Sequence, residues 1–458
     1  MQDLVNRVIA DIPDFERFMT LDELDASSRK LAEEYPAIAR LGTIGHSREG
    51  HPLLMLRIGN GSRRALFVGC PHPNEPIGAS SLDYLSRKLC EDAELLAELD
   101  HTFYIVKVID ADGYRLNEGW LRGPYSPDRY MRYYFRPAGE EQVEWTFPYE
   151  YKTFHANDPM PETQAFMRAI DESRPHFLNS LHNIDRAGTY FYLSEALSEE
   201  VYEELRRLAV SRGLPLLKGE PETEMIPPLG DCIFTLGKYS QVYDYLEKVL
   251  PEGEDPASKM GGGASSSDYA SKYGTFSFMS EVSQFIDPRM SDTSPSGYTR
   301  REVMTETLER DGRKFEFLRR QTELAKPYLK KPTMLERAVT SFRGYFEEDK
   351  RRNESTMAKG DHPNFDRPAT TAEWFDLHTR DWWLSLGCAG MLIRAMADQE
   401  PSEELEAIRR ETLEWLDREI EEFLPKLNWQ MRPIRDLCAV QLGSAFTVLE
   451  HLRSRAVV

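Results

Sequence analysis

The amino-acid sequence predicts an α/β protein, with a mostly parallel β-sheet wrapped by helices and a helical C-terminal extension. Short continuous apolar runs such as RALFVGC and TFYIVKVID are typical of strands that are buried on both faces. Amphipathic segments such as PETQAFMRAIDES and ALSEEVYEELRRLAVSRG have the spacing of helices. Strands that alternate with helices indicate a parallel sheet covered by helices.

The predicted elements follow one another in this order. LDELDASSRKLAEEYP predicts an acidic-capped helix that ends before Pro36, and ARLGTIGHS and HPLLMLRIG predict two strands. RALFVGC predicts a buried strand, and a helix follows from about Ile77 to Cys90. TFYIVKVID, HFLNSLH and TFSFMSEV predict three further strands of the sheet.

The length of 458 residues exceeds what one hydrophobic core usually serves, so we expect a large unit and a smaller one. After about residue 300 the strand patterns end and long helical patterns follow. Residues 326–368 are charged and contain several Pro and Gly, which predicts a connection or lid. We therefore divide the chain into an α/β domain (1–325), this charged connection (326–368) and a C-terminal helical unit (369–458).

The charge balance argues against nucleic acid and membranes as partners. The chain has 57 Lys+Arg against 77 Asp+Glu and a formal net charge of -20, which repels phosphate backbones and anionic lipids. The segment MQDLVNRVIADIPDFERF has no apolar core of signal-peptide length, and no apolar run is long enough to span a bilayer. We expect a soluble, cytoplasmic protein.

The five cysteines limit the metal chemistry that is open to the chain. Their number is odd, and they are scattered without a CxxC pair, so neither a disulfide framework nor a thiolate zinc site is indicated. Any metal must therefore be bound by histidine and carboxylate side chains.

The segment VGCPHPNEPIG is the most informative feature of the sequence. His72 and Glu75 stand three residues apart, after a buried strand and before a helix. Ligands of open α/β sheets bind at the carboxyl ends of strands, and an imidazole with a carboxylate suits zinc. HxxE alone is a weak signal, because the start of an ordinary helix often contains it.

Two further strands end in polar residues that strengthen this interpretation. His182 ends the strand FLNSLH, and Glu281 ends the strand TFSFMSE, so both are expected at the same edge of the sheet. Two histidines and one carboxylate leave a zinc position open for water, and a nearby unligated glutamate can take a proton from that water. The pattern predicts a hydrolase.

These segments resemble the M14 zinc carboxypeptidase family over roughly residues 20–320. HPNE resembles the family's HxxE motif, and DADGY at 110–114 resembles its NPDGY turn. PETQAFMRAIDESRPHFLNSLHN and SSSDYASKYGTFSFMSEVSQF resemble the stretches that end in the third ligand and in the general base. The resemblance implies a three-layer α/β/α hydrolase domain with a mixed, mostly parallel, twisted sheet. It also implies one Zn²⁺ per chain bound by His72, Glu75 and His182, with Glu281 as the base.

The chain departs from the family where the family recognises its substrate. QVEWTFP at 142–148 replaces the Asn-Arg pair that binds a terminal carboxylate, and Met260 lies near the place of a tyrosine that closes over the substrate. We therefore expect a divergent member with altered recognition of the substrate carboxylate.

The family also uses an arginine to stabilise the oxyanion of the transition state. Arg132 and Arg136, in RYMRYYFRP, are both candidates, and either can instead bind a substrate carboxylate in bidentate fashion. We expect the Glu144 carboxylate to orient His72 without binding the metal itself.

The expected function is zinc-dependent hydrolysis of a peptide or amide bond in a small or modified peptide. Two alternatives on the same scaffold are an amidohydrolase or deacylase and an endopeptidase that cleaves cell-wall peptides. A catalytically silent, metal-containing peptide-binding module is the alternative of another class, and the presence of Glu281 counts against it. The sequence leaves the oligomeric state open.

Overall fold

The computed structural model describes residues 2–219, 226, 228–251, 253–359 and 365–455. The strands are, in chain order, β1 (Ala39–His46), β2 (Pro52–Ile58), β3 (Arg63–Gly69), β4 (His101–Val106), β5 (Tyr149–Tyr151), β6 (Phe154–Ala156), β7 (Phe177–Ile184), β8 (Tyr190–Leu193), β9 (Pro228–Gly230), β10 (Ile233–Thr235), β11 (Phe276–Ser283), β12 (Phe285–Ile286), β13 (Pro295–Thr299), β14 (Pro368–Thr370) and β15 (Gln430–Met431).

The helices enclose the sheet and extend beyond it. They are α1 (Gln2–Ile9), α2 (Leu21–Glu34), α3 (Ile77–Glu91), α4 (Ala93–Leu99), α5 (Ala111–Leu121), α6 (Pro127–Tyr133), α7 (Pro161–Ser173), α8 (Glu199–Ser211), α9 (Tyr239–Val249), α10 (Ser266–Ala270), α11 (Arg300–Ala325), α12 (Met334–Lys359), α13 (Thr371–Ala397), α14 (Glu403–Phe423) and α15 (Ile434–Arg455). None of the described helices combines the length and the apolar character needed to cross a bilayer.

A nine-stranded sheet has the order β1-β2-β4-β3-β7-β11-β8-β10-β9. Its middle strands β4, β3, β7 and β11 pair in parallel, whereas β1, β2 and β8 join antiparallel. Along β3, Leu66 and Val68 face one apolar cluster, and Ala65 and Phe67 face another. Because alternate side chains of a strand point to opposite faces, helices cover both sides of the sheet. The predicted three-layer α/β/α fold with a mixed sheet is confirmed.

The first large helix begins and ends where the sequence predicts it. In α2, the Thr20 side chain accepts a hydrogen bond from the Glu23 amide, and the Glu23 carboxylate accepts one from the Thr20 amide. This capping box satisfies amides that have no partner within the helix. The helix stops at Glu34, before Pro36.

The segment after residue 300 forms long helices, as expected, but the predicted boundaries do not match its packing. α12 occupies most of the predicted charged connection, so that segment is largely helical; residues 360–364 lie outside the described residues. α11 packs against α13, which lies beyond this predicted connection.

The last helix also departs from the predicted division. α15 leaves the other C-terminal helices and packs against β11, α3 and α8. The Phe446 ring of α15 stacks on Phe67, with centroids 5.9 Å apart, and lies 6.1 Å from Phe103. The structure thus assigns α15 to the helix layer of the sheet rather than to a separate C-terminal unit.

Candidate metal centre and active site

The carboxyl ends of three neighbouring parallel strands bring the predicted residues together. Glu281 of β11 stands opposite His182 of β7 in the parallel ladder, and β3 ends three residues before His72. The four side chains of His72, Glu75, His182 and Glu281 are buried, with relative exposures between 2% and 6%. A common sheet edge therefore supplies all the residues of the predicted centre.

The three predicted ligands converge on one point. The two Nδ1 atoms of His72 and His182 lie 3.1 Å apart, and each lies 3.0 Å from a carboxylate oxygen of Glu75. One potential ligand atom from each of the three residues lies within 4.8 Å of the other two. Two nitrogens bound to one tetrahedral zinc at its usual bond length lie roughly 3.3 Å apart, so this donor set fits zinc.

The protonation of the two histidines follows from their surroundings. Burial, with help from the nearby Arg136 guanidinium, lowers the pKa of His72 to about 4, which keeps its ring neutral and able to bind a metal. Burial acts in the same direction on His182, but the neighbouring carboxylates of Glu144 and Glu75 outweigh it and raise the pKa of His182 to about 10. The carboxylates around His182 therefore favour positive charge at that end of the pocket, as a cation site requires.

Glu144 lies beside His182, not beside His72, and the expectation that it orients His72 is corrected. The Ser180 hydroxyl donates a hydrogen bond to Glu144. The amide and the hydroxyl of Ser266 each donate one to the same carboxylate, both with a length of 3.0 Å. The Glu144 carboxylate is 3.9 Å from His182 Nε2, and the Ser180 hydroxyl is 3.2 Å from the same atom. Ser180 and Glu144 therefore hold the outer edge of the His182 ring.

The structure brings Arg136 to the centre but not Arg132. Arg136 donates from Nη1 to Glu75 Oε1 over 2.8 Å and from Nε to Gln142 over 3.0 Å. Arg132 instead pairs with Asp128 and Asp417 at the partly exposed junction of α6 with α14. The candidacy of Arg132 is thereby corrected, because both sides of its guanidinium are engaged away from the ligands.

Two features of the rim were not predicted. The Trp145 ring lies edge to face with His72, at a centroid distance of 5.8 Å, and it is 46% exposed. Trp145 belongs to QVEWTFP, the segment that replaces the family's carboxylate-binding pair. Its position in that segment could have indicated a residue close to the substrate.

The second feature is an ion pair that follows β7. Asp185 accepts hydrogen bonds from Tyr130 over 3.0 Å and from the Trp383 indole over 2.9 Å, and it receives Arg186 at 3.1 Å. The Tyr130 hydroxyl in turn accepts a hydrogen bond from Asn74 of the HPNE segment. The sequence could have indicated this ion pair, because Arg186 stands close to the predicted ligand His182 along the chain.

At one edge of the mixed sheet, two histidines and a glutamate form a donor set that could hold a metal ion. Residues 24–223 match the family model of the zinc carboxypeptidases, Peptidase_M14. The resemblance found in the sequence is confirmed over this region of the chain. The match includes His72, Glu75 and His182, and it ends before Glu281.

Individual relatives cover only parts of the chain. Carboxypeptidase A6 of Mus musculus is 28% identical over 127 residues, which are 26% of this chain and 27% of that protein. Carboxypeptidase B of Astacus astacus is 27% identical over 106 residues, or 22% of this chain and 35% of that protein. The matched region thus spans about a third or less of these curated relatives. The carboxypeptidase A structure from Helicoverpa armigera aligns with a TM-score of 0.35 at 17% identity, covering 61% of this chain and 70% of that one.

Proposed function

We propose that the protein is a zinc-dependent metallopeptidase that hydrolyses a peptide or amide bond in a small or modified peptide. One observation carries the proposal: the ligand atoms of His72, Glu75 and His182 gather within 4.8 Å, and Glu281 pairs with His182 in the sheet. Burial of all four side chains supports chemistry in a site that excludes bulk water.

The metal would be held by Nδ1 of His72, Nδ1 of His182 and the Glu75 carboxylate. When bound, zinc polarises a substrate carbonyl and lowers the pKa of water. Glu281, whose Oε1 lies 4.0 Å from His182 Nδ1, takes the proton of the attacking water and returns it to the leaving amine.

Arg136 stabilises the negative charge that develops on the carbonyl oxygen. Its hydrogen bonds to Glu75 and Gln142 fix the guanidinium beside the ligands before any substrate arrives. A donor that is already oriented spends no reorganisation energy in the transition state.

Recognition of the substrate carboxylate differs from the family pattern. Val143, within the segment that replaces the Asn-Arg pair, is fully buried and uncharged. Arg186 is a cation that can take the role of the missing pair. Asp185 fixes its guanidinium, and its side chain remains 19% exposed. We propose that a carboxylate of the substrate binds Arg186.

The test combines metal analysis with hydrolysis. We expect about one zinc per chain in the purified protein, loss of that zinc in His72→Ala, and cleavage of a peptide panel that a chelator abolishes. No metal and no cleavage would contradict the proposal. Bound metal without cleavage would favour a peptide-binding module.

The same panel separates the kinds of hydrolase. Each peptide is supplied as the free acid and as the C-terminal amide. A carboxypeptidase loses its substrate on amidation, whereas an endopeptidase or an amidase cleaves both forms.

A further inference from the structure

An exposed indole stands beside an otherwise buried centre. Trp145 is 46% exposed, while the metal-ligand histidines His72 and His182 are 6% and 2% exposed. The indole lies edge to face with His72, with an interplanar angle of 74°, and its ring centroid is 6.0 Å from the Arg136 guanidinium carbon. The exposed ring therefore adjoins both the buried His72 and the Arg136 guanidinium.

The backbone of Trp145 is fixed although its side chain is exposed. Its amide donates to the carbonyl of Gln142 over 3.0 Å, and its carbonyl accepts from Gly263 over 2.5 Å. Gly262 has a φ of +66°, and a Cβ there would lie 2.4 Å from the Trp145 carbonyl oxygen. Only glycine permits this close approach, so the loop at Gly262 packs directly against the turn that carries the indole.

The flanking residues anchor the same turn. Glu144 accepts hydrogen bonds from Ser180 and Ser266, and Thr146 shares a hydrogen bond with Thr163 over 2.5 Å. The aromatic ring is therefore presented in a fixed place, and a ligand that contacts it pays little for ordering it.

We propose that Trp145 selects substrates with an aromatic or large apolar side chain next to the scissile amide. An exposed indole keeps apolar surface in water, and an apolar side chain that covers it removes this surface. An aromatic side chain adds the offset or edge-to-face attraction between rings. A carboxylate side chain gains no such contact with the ring itself, because the face of the ring carries negative potential.

This inference rests on the proposed function for the position of the scissile bond. Because His72 is a proposed metal ligand, a carbonyl at the metal lies within one side-chain length of the indole that touches His72. The residue on one side of that carbonyl then covers the ring.

The test measures binding and cleavage separately. Calorimetry on the zinc-loaded Glu281→Gln variant compares two tripeptides that differ only in Phe or Ala beside the scissile bond. The same pair is measured with Trp145→Ala and Trp145→Phe added, and with Tyr245→Ala as a control. Tyr245 of α9 is also 46% exposed. Zinc content is determined for each variant, because Trp145 touches a ligand.

We expect the Phe peptide to bind roughly three- to tenfold more tightly than the Ala peptide. Trp145→Ala should abolish this difference, whereas Trp145→Phe and Tyr245→Ala should retain it. A preference that survives in Trp145→Ala, or an equal loss for both peptides at unchanged zinc content, would overturn the inference.

Cleavage by the native protein separates the two proposals. A preference that depends on Trp145, without any hydrolysis, would support the inference and remove the proposed function. Hydrolysis of both peptides at equal efficiency would keep the proposed function and overturn the inference.

Discussion

Gln441 of α15 donates a hydrogen bond from Nε2 to the main-chain carbonyl of His182 over 2.9 Å, across 259 residues of sequence. The Ser81 hydroxyl of α3 donates a hydrogen bond to Oε1 of the same Gln441 side chain over 2.8 Å. Gln441 is completely buried, so its amide joins α3, α15 and the ligand-bearing end of β7 away from solvent. The position of His182 therefore depends on a helix near the end of the described chain.

Gln441→Leu should lower the free energy of unfolding by about 1–3 kcal/mol, because it leaves a buried carbonyl and a buried hydroxyl without their partner. Denaturant unfolding followed by circular dichroism measures this change. Gln430→Leu is the control, since Gln430 is exposed and its replacement should shift stability by less than about 0.5 kcal/mol. Equal effects of the two substitutions would contradict the role given to Gln441.

Glu144→Gln should weaken zinc binding by roughly 10- to 100-fold, because carboxylates that support a metal-binding histidine contribute about that much. The Gln side chain has the same shape, and its carbonyl oxygen can still accept the hydrogen bonds of Ser180 and Ser266, so we expect the fold to stay intact. Competition with a chromogenic chelator gives the affinity. Glu150→Gln replaces an exposed glutamate on β5 and should bind zinc as the native protein does.

Arg136→Ala should lower kcat of the proposed hydrolysis by roughly 10²- to 10³-fold, the usual effect of removing one oxyanion donor. Arg132→Ala is the matched comparison from the same segment, and it should leave kcat almost unchanged. Its partners Asp128 and Asp417 lie away from the ligands. Steady-state kinetics on one cleaved peptide decides the matter, and a larger loss in Arg132→Ala would reverse the assignment.

Asp110→Asn should raise the melting temperature at pH 7 and have a smaller effect near pH 4. Burial, with Glu162 and Asp112 nearby, raises the pKa of Asp110 to about 7 in spite of Arg48. The folded protein thus retains a proton between about pH 4 and 7 that the unfolded chain has lost, and stability falls as pH rises through that range.

Thermal scans from pH 4 to pH 8 measure this dependence. The neutral Asn amide removes the ionisation and can still accept the hydrogen bond that Gly113 donates to Asp110. Asp158→Asn, at an exposed position, is the control. A pH dependence that is the same in Asp110→Asn and in the native protein would show that Asp110 does not cause it.

The sequence predicted the middle of the sheet better than its edges. β3, β7 and β11 are short segments buried on both faces, and their length favours a strand over a helix. β9 and β10 have three residues each, too few to show a period. The sequence of α15 did not indicate that this helix packs against the sheet, because its buried face includes the polar residues Gln441, Ser444 and Thr447.

The candidate site was predictable where a strand or a helix start fixes a side chain. His72, Glu75, His182 and Glu281 come from such positions and lie together, although their catalytic roles stay predictions. The residues of the 122–148 segment were not predictable in the same way. Their partners depend on how an irregular loop folds, and no periodicity encodes that path.

The place of α15 in the sheet layer affects how the protein is made on the ribosome. Residues 434–455 are synthesised after every other described element, yet Phe446 covers Phe67 on β3, the strand that leads to His72 and Glu75, and Phe103 on the neighbouring β4. Until that helix emerges, part of one apolar face of the sheet lacks its cover, including through synthesis of α11–α14. We therefore expect the growing polypeptide to expose apolar surface to the solvent, and a chain that stops before residue 434 to aggregate more readily than the full chain.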